Sequence, residues 1–380
     1  MRRIDWIDIS VCVVVLVALS CGAYVVYGDQ LGDAPLDAHF TPDMSLRDVA
    51  RANGIPVRKI LHIASHDASG AWDWPRDVPI RELPGGEEAV HHALLHAAEE
   101  QSPLRGMLRF GILGALGGGV VLLLVSVKRI GRWRTWALLG TVVVLGVALG
   151  PSPNPMEAVV KAFKVSLGME ADAVAMVLLL ALFALVSVVG NKVMCGWGCH
   201  LGALQDLLYR VSPFKRLKRL RVPFWWANGV RIALFVVFLD LFFGGVLGTR
   251  DFVIYHHVNL FKVYAWDLAP IALMVLPVIL VLSFGIYRPY CQFICPFGLG
   301  SWCLENVSVY RVRVDTTLCT GCRKCVAACP TEAMKARLDS KRSVFLPDCW
   351  ACGACIEACP EGAIRFDRPG GVRLPETPSS

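Results

Sequence analysis

Near its C-terminus the chain reads Cys319-Thr320-Gly321-Cys322-Arg323-Lys324-Cys325-Val326-Ala327-Ala328-Cys329-Pro330. A second stretch follows, Cys349-Trp350-Ala351-Cys352-Gly353-Ala354-Cys355-Ile356-Glu357-Ala358-Cys359-Pro360. Both have the pattern C-x2-C-x2-C-x3-C-P. Thiolates are soft, charged ligands that suit iron, and the short spacings let three of them grip one [4Fe–4S] cube from a tight loop. In this pattern the fourth cysteine ligates the other cube. The expected ligand sets are therefore Cys319, Cys322, Cys325 and Cys359 for one cluster, and Cys349, Cys352, Cys355 and Cys329 for the second. C-x2-C pairs also bind zinc, but eight cysteines in this spacing, with a proline after each fourth one, argue against it. Phe345 before the second run and Ile364-Arg365-Phe366 after it suggest short strands around the clusters.

Upstream the chain is far greasier. Over 380 residues it is 55% hydrophobic and only 18% charged, where a soluble domain carries about 25% charge. A soluble enzyme, a disordered chain and a nucleic-acid-binding module are all poor readings, despite a formal charge of +7. Six apolar stretches approach the ~20 helical residues that cross a hydrocarbon core: Ile9–Tyr27, Met107–Val127, Thr135–Gly150, Ala173–Met194, Val230–Leu247 and Leu268–Ile286. The first reads as an uncleaved anchor rather than a signal peptide. Lys128, Arg129, Arg132 and Arg134 follow the second stretch, and six basic residues without an acid fill Arg210–Arg221. Residues 28–106 hold thirteen acids against seven bases. The positive-inside rule then places both basic loops and both termini in the cytoplasm. The cysteine runs lie on the reducing side, where disulfides are rare. The expected fold is a mainly α-helical polytopic membrane protein of about six transmembrane helices. It carries a C-terminal α+β two-cluster domain and a small helical extracytoplasmic domain. The divisions are a 1–27 anchor, 28–106 outside, a 107–286 membrane core, a 287–306 connector, the 307–370 cluster domain and a 371–380 tail.

In the outer segment, Met44-Ser45-Leu46-Arg47-Asp48-Val49 is echoed by Val78-Pro79-Ile80-Arg81-Glu82-Leu83. Ser45 with Asp48 reads as a capping box and Asp77 as a second helix start. Beyond the capping box lie five histidines (His62, His66, His91, His92, His96). Their spacing matches no common ligand set, so a solvated helical face that docks a partner is the preferred reading.

Four more cysteines form two C-x3-C motifs, Cys195-Gly-Trp-Gly-Cys199 and Cys291-Gln-Phe-Ile-Cys295-Pro296. A glycine, Gly202 or Gly298, stands three residues past each. Each motif follows an apolar stretch, which reads as an internal repeat at one membrane face. Four thiols there form a candidate additional redox or metal site: a third cluster, a copper or zinc ion, or a thiol pair. Packing is the plain alternative, as it is for Cys12, Cys21 and Cys303. Asp240, inside the fifth stretch, is a candidate proton acceptor, since an intramembrane acid is a functional-site candidate by default.

The two C-x3-C motifs followed by the eight-cysteine domain resemble the NapH, NosR and MauN group of membrane polyferredoxins, over roughly residues 107–366. Copper-handling oxidase-assembly ferredoxins are more distant relatives. The resemblance implies an inner-membrane iron–sulfur electron-transfer subunit of a quinol-linked oxidoreductase system. Its partners would be quinone or a membrane redox subunit, with no nucleic acid. Two departures stand out: His200 occupies a position where the family often has proline, and no S-G-A-T flavin-attachment sequence is present. No histidine falls inside the six stretches, so haem offers no evident wire across the bilayer. Electron transfer is therefore weighed against copper reduction or cofactor assembly at the C-x3-C cysteines, and against a redox-gated transporter, which would show more polar groups in its spans. Reporter fusions within 28–106 should read outside the cytoplasm and fusions beyond Ile286 inside it. An active periplasmic reporter at the C-terminus reverses the assignment.

Overall fold

The computed structural model describes residues 39–53, 55, 57–68, 71–100, 103–126, 131–148, 154–167, 173–212, 221–246, 252–265, 270–339 and 345–368. The stretch Ile9–Tyr27 with Cys12 and Cys21, the basic residues Lys128 and Arg129, most of the Arg210–Arg221 loop and the 371–380 tail lie outside them. The described residues fall into two compact units: 39–110 with 157–181, and 111–156 with 182–368.

The first unit is helical. Ser45 caps Leu46–Ala52: its hydroxyl accepts from Asp48 N at 3.3 Å, and the Asp48 carboxylate accepts from Ser45 N at 3.4 Å. Helices Val57–Asp67 and Gly86–Glu100 pack together over a core of Leu46, Val49, Ile60, Leu61, Ile80, Val90 and Leu94. The echoed stretches bind one another, with Ile80 N donating to Met44 O at 3.0 Å and Arg81 N to Pro42 O at 3.0 Å. The second copy is not a capped helix. Ile80–Glu82 is a single 3-10 turn with Pro79 at its start, and the Asp77 carboxylate goes instead to Arg47, 2.8 Å away.

In the second unit the apolar stretches become helices with sharper ends than hydropathy suggests. Gly131–Gly140 passes into a π-helical turn, Thr141–Ala148. Phe224–Phe243 begins directly after Pro223, a residue that cannot donate into a helix but sits well at its start, and stops at Gly244, whose φ of 78° suits glycine. Pro270–Ser283 carries Pro277 within it. Among the described residues one helix, Phe224–Phe243, is long and apolar enough to cross a membrane. Shorter apolar helices are Gly114–Ser126, Trp133–Ala148, Leu179–Gly190 and Pro270–Ser283.

The cysteine-rich domain is built on a two-stranded antiparallel sheet. Strand β1 (Arg311–Val314) pairs with β2 (Ile364–Asp367), in register Arg311↔Asp367 to Val314↔Ile364. The strand expected near Phe345 is not formed; that residue sits at a bend with φ of 52°. The domain does not stand apart from the helices. Val309 N and Tyr310 N donate to Val188 O and Val189 O at 2.7 and 2.9 Å. Val312, Ile356, Ile364 and Phe366 share one core with Val120, Val121, Leu124, Val193 and Trp197.

In the first unit, Ser45→Ala removes an N-cap typically worth about 1 kcal/mol. Amide exchange over Leu46–Ala52 should rise roughly fivefold, measured by hydrogen exchange on the full chain, with rates in β1 and β2 unchanged.

Candidate iron–sulfur centres

Each ferredoxin-type run folds as a loop, a short helix and an extended exit. The third cysteines, Cys325 and Cys355, lie in helices Lys324–Ala328 and Ala354–Ala358. The fourth, Cys329 and Cys359, cap those helices in extended conformation (φ −72°, ψ 123° and φ −84°, ψ 109°) and lead into proline. The loops curl through left-handed residues, Gly321 and Arg323 in one run, Ala351 and Gly353 in the other. Glycine meets one of the two positions in each copy without strain.

The fold exchanges the fourth cysteines. Cys329 lines one pocket with Cys349, Cys352 and Cys355. Burial, and then the charges of Cys352, Cys349 and Cys329, push the Cys355 thiol well up, so these four sulfurs are electrostatic neighbours. Burial likewise raises Cys325, which feels Cys359 and Cys319. Trp350 and Arg337 also line the Cys329 pocket, and their buried Nε1 and Nε atoms have no acceptor among the described residues. An anionic thiolate-bound cluster is the kind of group that would satisfy them. The Cys325 set lies nearer solvent, with Cys319 and Cys322 exposed.

The two C-x3-C motifs meet in a second, wholly buried group. Cys195, Cys199, Cys291 and Cys295 are each 6–8% exposed. Neither motif is one continuous helix. Cys195 lies in a π-helical turn, Met194–Gly198, and Cys291 in the short helix Pro289–Phe293. Cys199 and Cys295 are extended residues that start new helices, His200–Val211 and Pro296–Glu305. The copies are wired into each other. Gln205 Nε2 of the first reaches Cys291 Sγ of the second at 3.8 Å, and Ser301 Oγ of the second stands 3.8 Å from Cys195 Sγ of the first. Gly202 N donates to Cys199 Sγ at 3.4 Å, and Gly298 N bonds Cys295 in the same way. Both glycines are dictated by space. A Cβ on Gly202 would stand 2.8 Å from Arg288 Nη1, and one on Gly298 2.8 Å from Cys291 O.

Buried ions brace this group. Asp206 accepts from Arg134 at 2.6 Å and Arg288 at 2.9 Å, and Arg288 reaches on to Cys195 O and Gly196 O. Burial alone would raise Asp206, yet Arg134, Arg288 and Arg210 hold its carboxyl well below the usual carboxylate range. Asp348, immediately before Cys349, pairs with Lys192 and with Arg231 at 3.2 Å; Lys192 also donates to Gly298 O at 3.1 Å and Arg231 to Cys291 O at 3.2 Å. Arg134, read from the sequence as part of a basic cytoplasmic loop, is fully buried. None of these pairings was foreseen, since their partners lie far apart in the chain.

Other candidates sit elsewhere. Asp240 is half-buried in the last turn of Phe224–Phe243 rather than deep along it, and its carboxylate accepts from Val246 N at 2.7 Å. The helix starts at Phe224, earlier than the apolar stretch suggested, so Asp240 belongs to the helix end, where it ties the Gly244-Gly245 turn. His200 is buried against the edges of Phe261 and Tyr264, with ring centroids 5.0 and 4.8 Å away. Cys303 is exposed, and His91 and His92 lie on an exposed face. The side chains of His62, His66 and His96 are outside the described ones.

Comparison with known proteins agrees with these centres. Residues 311–360 match a 4Fe–4S dicluster domain, and 172–221 and 267–303 each match a 4Fe–4S binding domain. YccM of Escherichia coli, provisionally named for electron transport, is 24% identical over 46% of this chain and 51% of its own. The uncharacterized protein MJ0749 of Methanocaldococcus jannaschii is 27% identical over 38% of this chain and 53% of its own. The ferredoxin-type protein NapH of Haemophilus influenzae is 24% identical over 47% and 63%. The chain thus spans about half the length of the first two relatives. No solved structure matches it. The chain thus carries 4Fe–4S domains and is similar to proteins of ferredoxin type.

Cys329→Ser should diminish the EPR signal of the cluster belonging to Cys349, Cys352 and Cys355, and leave the signal lost in Cys322→Ser at full strength. Loss of the latter signal alone would reverse the crossed assignment.

Proposed function

We propose that this chain is a membrane-bound electron-transfer protein that exchanges electrons between the quinone pool, or a redox partner in the membrane, and a second redox partner. Two [4Fe–4S] clusters held by Cys319, Cys322, Cys325, Cys359 and by Cys349, Cys352, Cys355, Cys329 would supply its one-electron chemistry. The observation that carries the reading is the arrival of Cys329 in the pocket of the second run, which makes each quartet depend on both runs. The chain's own residues divide the remaining work. Trp350, Arg337 and the helix Ala333–Asp339 enclose the Cys349 quartet. The exposed loop 317–324 leaves the Cys319 quartet open to a partner.

A bilayer location is supported by helix faces left exposed among the described residues. Val230, Ile232, Val236 and Phe243 on one helix, and Ile271, Leu273, Met274, Val278 and Val281 on another, are 40–74% exposed. Contiguous apolar surface of this kind marks a membrane or protein contact. Trp225 and Trp226, at the start of the first of these helices and 60% and 75% exposed, suit a headgroup interface. The reading places the protein in the bacterial inner membrane as a multi-pass protein, with its cluster domain cytoplasmic and residues 28–106 outside, where they would dock an extracytoplasmic partner. Detergent-purified full chain, kept anaerobic and free of copper, should show cluster absorbance bleaching on addition of a short-chain quinol, or recovering with the matching quinone. A redox response that appears only when copper ions are present overturns the quinone reading in favour of metal reduction.

A further inference from the structure

We infer that Cys195, Cys199, Cys291 and Cys295 hold a third [4Fe–4S] cluster, a single one shared by the two C-x3-C copies. A [4Fe–4S] cube takes four thiolates, and each copy brings two. The segments 172–221 and 267–303 match a 4Fe–4S binding domain separately, but neither alone can complete a cube. The fold joins them so that each sulfur has one polar partner: Ser301 at Cys195, Gly202 at Cys199, Gln205 at Cys291 and Gly298 at Cys295. Hydrogen bonds to the sulfurs are a main determinant of a cluster's potential.

Arg134, Lys192, Arg231 and Arg288, all 0% exposed, contact these segments, and three buried carboxylates stand among them, Asp206, Asp348 and, beside Lys192, Glu305. Buried cations outnumber buried carboxylates here. A buried charge without a counter-charge is among the costliest features a fold can carry. Four neutral thiols would leave the surplus standing. Four thiolates on a [4Fe–4S] core of charge 2+ would bring two negative charges into this excess.

The centre also abuts the Cys349 quartet: Trp197 Nε1 donates to Ala351 O at 2.9 Å, and Gly196 lies so close to Trp350 O that a Cβ would stand 2.2 Å from it.

The inference rests on the electron-transfer reading for its use but not for its existence. Iron, acid-labile sulfide, copper and zinc should be measured on anaerobically purified full chain. Three clusters give about twelve irons per chain. The variant with serine at all four C-x3-C positions should fall to about eight, with both ferredoxin signals kept. Gln205→Leu should keep about twelve while shifting the midpoint potential of one EPR signal. That variant and the unmodified chain decide the matter even where the quadruple variant fails to fold. About eight irons in the unmodified chain, with or without bound copper or zinc, overturns the inference, and about ten, the count for a two-iron centre, overturns the cube. Twelve irons with no quinone response would sink the quinone reading and leave this site standing; eight with a response would do the reverse.

Discussion

Asp348 is the joint on which the larger unit depends. It is 3% exposed and receives Lys192, from the turn after Gly190, and Arg231, from the middle of Phe224–Phe243. The next residue is Cys349. One carboxylate therefore fixes the end of one helix, the flank of another and the entrance of a cluster loop. Lys192 and Arg231 extend the tie to Gly298 O and Cys291 O in the second C-x3-C copy. Removing one member of a buried pair typically costs about 3–5 kcal/mol, because it strands the other charge. At this joint two cations would be stranded at once. Position and charge balance are thus set by the same groups, which is why the cluster domain shares a core with the helices instead of hanging from a linker.

How much of this could be read from residues alone depends on sequence distance. The ferredoxin-type runs are local: thiol spacing, glycines and terminal prolines follow one another within a dozen positions, and Cys329 lines the pocket of the second run. The C-x3-C repeat was legible for the same reason. Its conformation was not, because hydropathy cannot say that Cys199 and Cys295 leave the helix and start another. Pro296 hinted at this in one copy, and His200 gave no such hint in the other. The ion pairs Arg134–Asp206, Arg288–Asp206 and Lys192–Asp348 join residues scores of positions apart, and a basic residue beside an apolar stretch reads by default as a solvated loop. Arg134 is the clearest casualty of that default. Asp240 was misplaced along its helix because the apolar stretch begins at Val230, whereas the backbone turns helical at Phe224 once Pro223 is passed. The Pro223 and Gly244-Gly245 pair was the available signal for both ends.

Two levels of the chain use one device. In the cysteine-rich domain, each run supplies three cysteines to its own quartet and its last to the other. In the helical part, each C-x3-C copy supplies two thiols and a side chain, Gln205 or Ser301, to a sulfur of its counterpart. A unit that completes its own site can fold and fill without its neighbour; a unit that lacks one ligand cannot. Exchange therefore makes assembly of each centre conditional on correct docking of both copies, and it brings successive centres to a common wall. The contact of Trp197 with Ala351 continues that wall from one level to the next. For the proposed passing of single electrons, a rigid shared wall serves better than a flexible tether, because tunnelling rates are set by separation, and separation here is held by buried ions and one continuous core.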